Sequence, residues 1–94
     1  MVKVIVAHHV ADYDAWYPVF TEHEAVRRGH GATGHAINRA ADDPNMVIVV
    51  NDFATLAGAQ AFAQDPSLPD VMHRAGVDSA PSVWIANEAE SSSY

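Results

Sequence analysis

The sequence predicts an α+β fold whose elements follow the order β-α-β-β-α-β. Its 94 residues and 10.1 kDa leave room for one domain only. Strand-length runs rich in β-branched residues stand at 2–9, 46–53 and 82–86. Between them lie stretches with helical spacing of apolar residues, each bounded by a capping residue and a glycine or proline.

The first strand is predicted at residues 2–9 and the first helix directly after it. Asp12 is in position to cap this helix, which we expect to continue to the Gly29-His30-Gly31 stop. Pro18 falls inside the helix and removes one hydrogen bond, so a kink or a loose first turn is expected there. The residues that recur at helical spacing are Tyr13, Trp16, Tyr17, Phe20 and Arg27.

The second and third strands, predicted at 33–40 and 46–53, form a hairpin whose connection is residues 41–45. Thr55 can begin a short alanine-rich helix that continues through Gln64.

The second helical segment is split in two, because a further capping signal follows it. Ser67 and Asp70 are spaced as a capping box for a last helix, which Gly76 ends. Pro81 begins the final strand, 82–86. Residues 1–86 are therefore predicted to form a single domain, and the polar residues 87–94 a flexible tail.

This order is that of the ferredoxin-like fold, in which helices cover one face of a four-stranded antiparallel sheet. A sheet with one wet face should alternate apolar and polar residues. These strands do not: Val4 and Val6 share one face of the first strand, and Ile5 and Ala7 share the other. Both faces require burial, so we expect a homodimer whose sheets pack face to face, with Val49 on the side that meets the partner.

Charge and composition exclude several classes of function. The net charge is −7, and Arg27-Arg28 is the only adjacent basic pair, which argues against nucleic-acid binding. No apolar run approaches the roughly 18 residues of a membrane span, and no signal peptide is predicted, so a cytoplasmic protein is expected. The chain has no cysteine, and its six histidines are its main chemical resource.

Several segments resemble the dimeric α+β barrel superfamily of antibiotic-biosynthesis monooxygenases, haem-degrading monooxygenases and small polyketide cyclases. The likeness covers residues 2–86 and is most recognisable in the segments Gly31-Ala-Thr-Gly34, Asp42-Asp-Pro-Asn45, Val47–Phe53 and Asp65–Leu68. The segment Asp12–Trp16 is most similar to small stand-alone members described as cyclases. The resemblance implies a dimeric α+β barrel that binds a small hydrophobic or aromatic ligand between helices and sheet.

The chain departs from these families at residues that matter for their chemistry. Phe53 stands where the monooxygenases and haem degraders have a Trp, and Val49 where the monooxygenases have an Asn. His8 stands where the haem degraders have an Asn, and His73 lies close to their haem-ligating His. The cyclases rely on a pocket His and Tyr, which this chain can supply. The differences favour cyclase-type chemistry, and no cofactor is expected.

The main catalytic candidate is a histidine at the end of the first strand. His8 and His9 point to opposite faces, so only one can enter the cavity, which we expect between subunits. We choose His8 because it continues the face of Val4 and Val6. A buried neutral imidazole can move a proton near neutral pH. The alternatives are that His9 lies inside, or that His8 is satisfied by local hydrogen bonds.

His73, in the last helix, is the second acid/base candidate, with a solvent-facing histidine as the alternative. The substrate-binding candidates are Trp84, Asn51, Tyr13 and Phe53. His23 and His30 are seven residues apart on one helix, about 10 Å, which is too far for a shared metal. A metal site formed by His8, His23 and His35 has no supporting spacing, and none is predicted.

These features predict a cofactor-independent enzyme that acts on a flat, oxygenated aromatic or polyketide-like molecule. In this hypothesis a histidine removes a proton next to a carbonyl, and a second polar group holds the enolate oxygen. One alternative is a non-catalytic dimer that binds a hydrophobic metabolite. The other is a cofactor-free or haem-linked monooxygenase.

Overall fold

A computed structural model describes the whole chain, Met1–Tyr94, and confirms the α+β, ferredoxin-like fold. Four antiparallel strands form one sheet in the order β2-β3-β1-β4. None of the helices combines the length and hydrophobicity needed to span a bilayer. The elements are β1 (Val2–His9), α1 (Tyr13–Glu22), α2 (Glu24–Gly29), β2 (Ala32–Ala40), β3 (Asp43–Phe53), α3 (Leu56–Ala63), α4 (Leu68–Arg74) and β4 (Ser82–Asn87).

Two of the predicted helix starts are formed by the expected side chains. Asp12 precedes α1 and accepts a hydrogen bond from the Asp14 amide at 3.0 Å. Thr55 precedes α3 and accepts one from the Gly58 amide at 3.0 Å. Such caps satisfy amides that the first turn of a helix leaves without partners.

The capping box predicted at α4 is absent. Ser67 has helical backbone angles (φ −75°, ψ −19°) and makes no capping hydrogen bond. Its hydroxyl instead donates to Asp65, 2.6 Å away. The Ser67 side chain therefore bonds to Asp65 and does not cap α4.

The first helical segment is interrupted at His23 and not at Pro18. Pro18 lies within α1, whereas His23 (φ −84°, ψ 2°) separates α1 from α2. The amide of His23 is shared between the carbonyl oxygens of Val19 and Phe20, both at 3.2 Å. This tightened turn ends one helix and begins the next.

The β2–β3 hairpin is tighter than predicted. Ala40 pairs with Asp43, so the connection has two residues, not five, and β3 begins three residues earlier than expected. The register shifts between Arg39 and Ala40, which accommodates Pro44 as an irregularity within the strand.

One face of the sheet is covered by the helices. On β1 this face carries Val2, Val4, Val6 and His8, all buried. Their partners on β3 are also buried: Phe53, Asn51, Val49 and Val47. Aromatic side chains of the helices complete the core, Phe62 against Phe53 and Trp16 in the cluster of Val47 and Val49.

The assignment of Val49 to a partner-facing side is therefore wrong. Val49 packs in the interior of its own chain, on the face shared with His8. The sequence showed two apolar faces but not which one the helices cover. The alternation of side chains along β1 and β3 then assigns every other residue to the opposite side.

The opposite side, here called the open face, is apolar at its centre. Ile5 pairs with Val50 on one side and with Trp84 on the other, and Trp84 is 54% exposed. Ala7 and Ile48 are half-buried.

Charged groups bound the open face at its two ends. Lys3 forms ion pairs with Asp52 and, at 3.6 Å, with Glu88. At the other end His9 contacts Asp78 at 2.6 Å and Asp43 at 3.3 Å. An apolar centre with a polar rim is the usual anatomy of a protein interface.

We propose that a second copy of the chain covers the open face. The unaltered protein should have a mass near twice the 10.1 kDa of one chain in light scattering at micromolar concentration. Val50→Asp should dissociate this dimer, since it places a charge at the centre of the interface. Val50→Thr, which keeps the side-chain shape, is the matched control. A mass of one chain for the unaltered protein would refute the dimer.

The role of the C-terminal residues is tested by truncation. The amide of Glu88 donates to the Met1 carbonyl at 3.0 Å, so pairing with β1 reaches one residue past β4. Deletion of residues 89–94, which are exposed and outside any strand or helix, should leave the melting temperature unchanged. A loss of several degrees in circular dichroism would show that these residues stabilise the fold.

Candidate functional site

An apolar cavity lies between the helices and the covered face of the sheet. The centre of a water-sized sphere can reach about 80 Å³ inside it, and the cavity opens to solvent at its mouth. Most of its lining is hydrophobic, and the polar residues in it are His8, His23, Arg27 and Asn51. Ligand sites commonly take this form, with a few polar groups placed in an apolar wall.

His8 reaches this cavity from the end of β1. It is 5% exposed, and its ring meets the Trp16 ring edge-on at 6.0 Å between centroids. Neither ring nitrogen has a hydrogen-bond partner. Burial lowers the pKa of His8 below its usual 6.5, because the apolar surroundings disfavour the charged form. A neutral imidazole here offers one donor and one acceptor to a bound molecule.

Asn51 supplies a hydrogen-bond acceptor from β3. Its Nδ2 donates to the Val4 carbonyl at 3.1 Å, and its Oδ1 is buried without a partner. If Oδ1 and Nδ2 of Asn51 were exchanged, Oδ1 would face the carbonyl oxygen of Val4, and two acceptors cannot form a hydrogen bond. The contact with Val4 therefore identifies the atom without a partner as Oδ1. Asn51 can therefore accept a hydrogen bond from a ligand hydroxyl.

Arg27 brings a cation into the cavity wall from α2. The residue is 3% exposed, and its guanidinium lies 3.7 Å from the centroid of the Phe20 ring. Nη1 donates to the Phe20 carbonyl at 2.8 Å, whereas Nη2 is buried without a partner. Burial lowers the pKa of Arg27 below its ordinary value, but an arginine remains charged at neutral pH.

His23, the fourth polar residue, belongs to a chain of hydrogen bonds that leads away from the cavity. Its Nε2 lies 2.9 Å from the Ser67 hydroxyl, which donates to Asp65, and Asp65 also contacts His30 Nε2 at 2.7 Å. Hydrogen bonds from Ser67 and His30 hold the pKa of Asp65 well below its usual 3.8. Because the hydroxyl proton goes to the carboxylate, His23 Nε2 must be the donor to Ser67.

Two stacked aromatic rings connect His8 to Arg27 along the wall. Trp16 and Phe20 are one helical turn apart in α1, and their centroids lie 4.9 Å apart with 21° between planes. His8 contacts the first ring and Arg27 covers the second. The wall thus has an acid/base group beside one aromatic ring and a cation over the other.

Only two of the six predicted site residues, His8 and Asn51, meet in this cavity. His73 is exposed on α4 and borders a surface cleft that shares Leu68 and Met72 with the cavity, but His73 itself does not line the cavity. Trp84 lies on the open face, because it pairs with Ile5 and not with Val4. The expectation that these two share a pocket with His8 is therefore wrong.

Tyr13 and Phe53 have structural contacts in place of cavity contacts. Tyr13 packs on Trp16 at 5.6 Å, with the Arg39 guanidinium 3.9 Å from its ring centroid. Phe53 is fully buried against Phe62, 5.3 Å between centroids. The cavity also lies within one chain and not between subunits, so that part of the prediction for His8 is corrected.

Sequence reasoning missed the roles of Arg27 and His23. Arg27 falls on the apolar stripe that contains Phe20, seven residues earlier in the sequence. No function was predicted for the charge of Arg27. A charged residue at a core position is the signal that would have identified it. Nowhere do three or more His, Asp or Glu side chains come together as a metal would require.

Comparisons with known proteins agree with this fold. The chain matches no sequence-family model and no curated protein. Among solved structures it resembles a candidate antibiotic biosynthesis monooxygenase of Bordetella bronchiseptica (TM-score 0.75, 16% identity, 95% of this chain and 97% of that one). It also resembles SnoaB, a cofactor-independent oxygenase of Streptomyces nogalater (TM-score 0.76, 13% identity, 96% and 94%). At such identities the likeness establishes the fold alone.

The buried position of His8 predicts how stability depends on pH. Between its lowered pKa and 6.5 the unfolded chain binds more protons than the folded one. The free energy of unfolding should therefore decrease as the pH falls through this window. His8→Gln should make the decrease shallower, in denaturant unfolding followed by circular dichroism at several pH values. His23, whose pKa is also lowered chiefly by burial, contributes a dependence of the same sign.

The neighbouring histidine provides the control. The hydrogen bond with Asp78, foremost, raises the pKa of His9, so His9 stabilises the fold below 6.5 and loses this effect as the pH rises. His9→Gln should therefore steepen the loss of stability in acid. Equal pH profiles for the unaltered protein and His8→Gln would contradict the burial of a neutral His8.

Proposed function

We propose that this protein is a cofactor-independent enzyme that performs acid/base chemistry on a flat, oxygenated aromatic or polyketide-like molecule. The observation that carries this proposal is His8: a buried imidazole with both nitrogens free, in the wall of an apolar cavity. A histidine used only for structure would be expected to have a hydrogen-bond partner at this depth.

His8 is suited to act as a general base. A neutral imidazole with a pKa below 6.5 is unprotonated at neutral pH and can accept a proton from a carbon next to a carbonyl. The apolar wall excludes water, which otherwise competes for the free nitrogen. The resulting imidazolium can return the proton at a later step.

Asn51 and the aromatic wall orient the substrate. The free Oδ1 of Asn51 accepts a hydrogen bond from a phenol or enol hydroxyl, while the apolar lining, which includes Trp16 and Phe20, packs against a planar ring. An acceptor cannot stabilise an enolate oxygen, so Asn51 is a binding group here. This combination favours a substrate that is both flat and hydroxylated.

The fate of the deprotonated carbon distinguishes two activities. In a cyclase the carbanion adds to a second carbonyl of the same molecule and forms a carbon–carbon bond. In a cofactor-free oxygenase it reacts with O₂, so that a CH₂ group becomes C=O and the second oxygen atom leaves as water. The structural likeness to SnoaB, described as a cofactor-independent oxygenase, supports the second activity as an alternative.

Proton abstraction can be measured before the natural substrate is known. The unaltered protein should accelerate deuterium exchange at the α-carbons of 2-tetralone, a flat aromatic ketone, in D₂O followed by NMR. His8→Gln should slow this exchange by about 100-fold or more, the usual contribution of a general base. His73→Gln, outside the cavity, should leave it unchanged within about twofold.

Other results would change the conclusion. Binding of 2-tetralone without accelerated exchange would favour the non-catalytic binding protein. An equal loss of exchange in both variants would contradict the role of His8. Oxygen uptake that accompanies turnover, measured with an oxygen electrode, would favour the oxygenase over the cyclase.

A further inference from the structure

The buried guanidinium of Arg27 is not needed by the chemistry proposed for His8. No carboxylate of the chain forms an ion pair with it, although the protein has twelve acidic residues. Nη1 donates to the Phe20 carbonyl, and the guanidinium lies over the face of the Phe20 ring. The charge of Glu24 favours the cation, but Glu24 forms its ion pair with Arg28. Nη2 retains two N–H groups with nothing to receive them.

Leaving a buried cation in this state lowers stability. A charge out of water is tolerated when it is paired and hydrogen-bonded, and one carbonyl with one aromatic face compensates it only in part. The exposed neighbour Arg28, by contrast, lies 3.7 Å from Glu24. A buried arginine with a free edge beside a cavity is therefore the arrangement of a binding group without its ligand.

We propose that Arg27 binds the carboxylate of the substrate, so that the molecule recognised by this cavity is an aromatic acid. This inference rests on the proposed function for the identity of the site and adds the chemical class of the ligand. A carboxylate oxygen can accept from Nη2, and the planar guanidinium suits this acceptor better than an ammonium group would.

The order of groups along the wall places the carboxylate away from the reacting carbon. His8 contacts Trp16, Trp16 stacks on Phe20, and the Arg27 guanidinium covers Phe20. The strand register agrees with this order. Phe20 contacts His35, which pairs with Asn51. Asn51 lies four residues along β3 from Val47, the strand partner of His8. An acid held by Arg27 would thus extend past Asn51 toward His8.

The rest of the protein does not attract acids. Its net charge of −7 repels anions at long range, and this repulsion is screened by salt. Any preference of the protein for an acid over its neutral analogue must therefore come from a local positive charge. The cavity wall contains one arginine, no lysine, and two histidines whose pKa values are lowered.

The test compares two probes of equal shape, 2-naphthoate and 2-naphthamide, by isothermal titration calorimetry near neutral pH. The unaltered protein should bind the acid at least about tenfold more tightly, the scale of one charge-assisted hydrogen bond. Arg27→Met should abolish this preference, because it lowers the affinity for the acid more than the affinity for the amide. Arg28→Met removes the same charge from the adjacent exposed position and should keep the preference.

The outcomes separate this inference from the proposed function. Equal binding of acid and amide by the unaltered protein would overturn the role of Arg27 and leave the cavity as a site for flat aromatic molecules. Binding of neither probe at millimolar concentration would overturn both. Loss of the preference in Arg27→Met and Arg28→Met alike would also overturn the role of Arg27, since it would indicate a general effect of charge.

A fold defect in Arg27→Met would not prevent a decision. The probe pair on the unaltered protein requires no substitution and can refute the inference alone. Arg27→Lys keeps the charge but not the planar fork, so it should show a preference between those of the unaltered protein and the neutral variant. A Lys variant that binds both probes equally would contradict an electrostatic role for position 27.

Discussion

The register between β1 and β3 is the constraint from which the other features of this protein follow. Side chains alternate along a strand, so a shift of one residue would exchange the two faces of the sheet completely. The observed pairing sets Val4 against Asn51 and His8 against Val47, and all four side chains lie beneath the helices. The same pairing leaves Ile5 and Val50 on the open face. The cavity and the open face are thus two results of one set of backbone hydrogen bonds.

The polar groups of the interior fall into two sets with different consequences. The chain from His23 through Ser67 and Asp65 to His30 is satisfied link by link, and it ties α2 to the segment that leads into α4. Such a network stabilises a single arrangement of the elements it joins. The atoms without partners belong to His8, Asn51 and Arg27, all of which line the cavity. Stability is therefore lowered in the one place where a bound molecule could restore it.

Much of the fold could be predicted because its signals are local. Asp12 and Thr55 cap their helices as expected, and the strands begin and end close to the predicted residues, since propensity and spacing decide both.

The functional site was harder to predict from the sequence. Ser67 fitted a capping box by spacing, yet its hydroxyl is taken by Asp65, a choice that depends on tertiary packing. Trp84 was expected in the pocket but lies on the open face. Strand periodicity divides the residues between two faces, but it does not show which face the helices cover. Arg27 was visible as a charge on an apolar stripe, although only packing shows that no carboxylate reaches it.

The positions of the two tryptophans have a spectroscopic consequence. Trp16 is buried in the cavity wall between His8 and Phe20, whereas Trp84 is half-exposed at the centre of the open face. Indole emission shifts to shorter wavelength when the ring leaves water, so the two residues contribute distinct components to the intrinsic fluorescence. A molecule that enters the cavity would change the surroundings of Trp16, and coverage of the open face would remove water from Trp84 and shift its emission to shorter wavelength. The chain therefore carries a native reporter for each of its two surfaces, and the emission spectrum can follow the two events separately without any label.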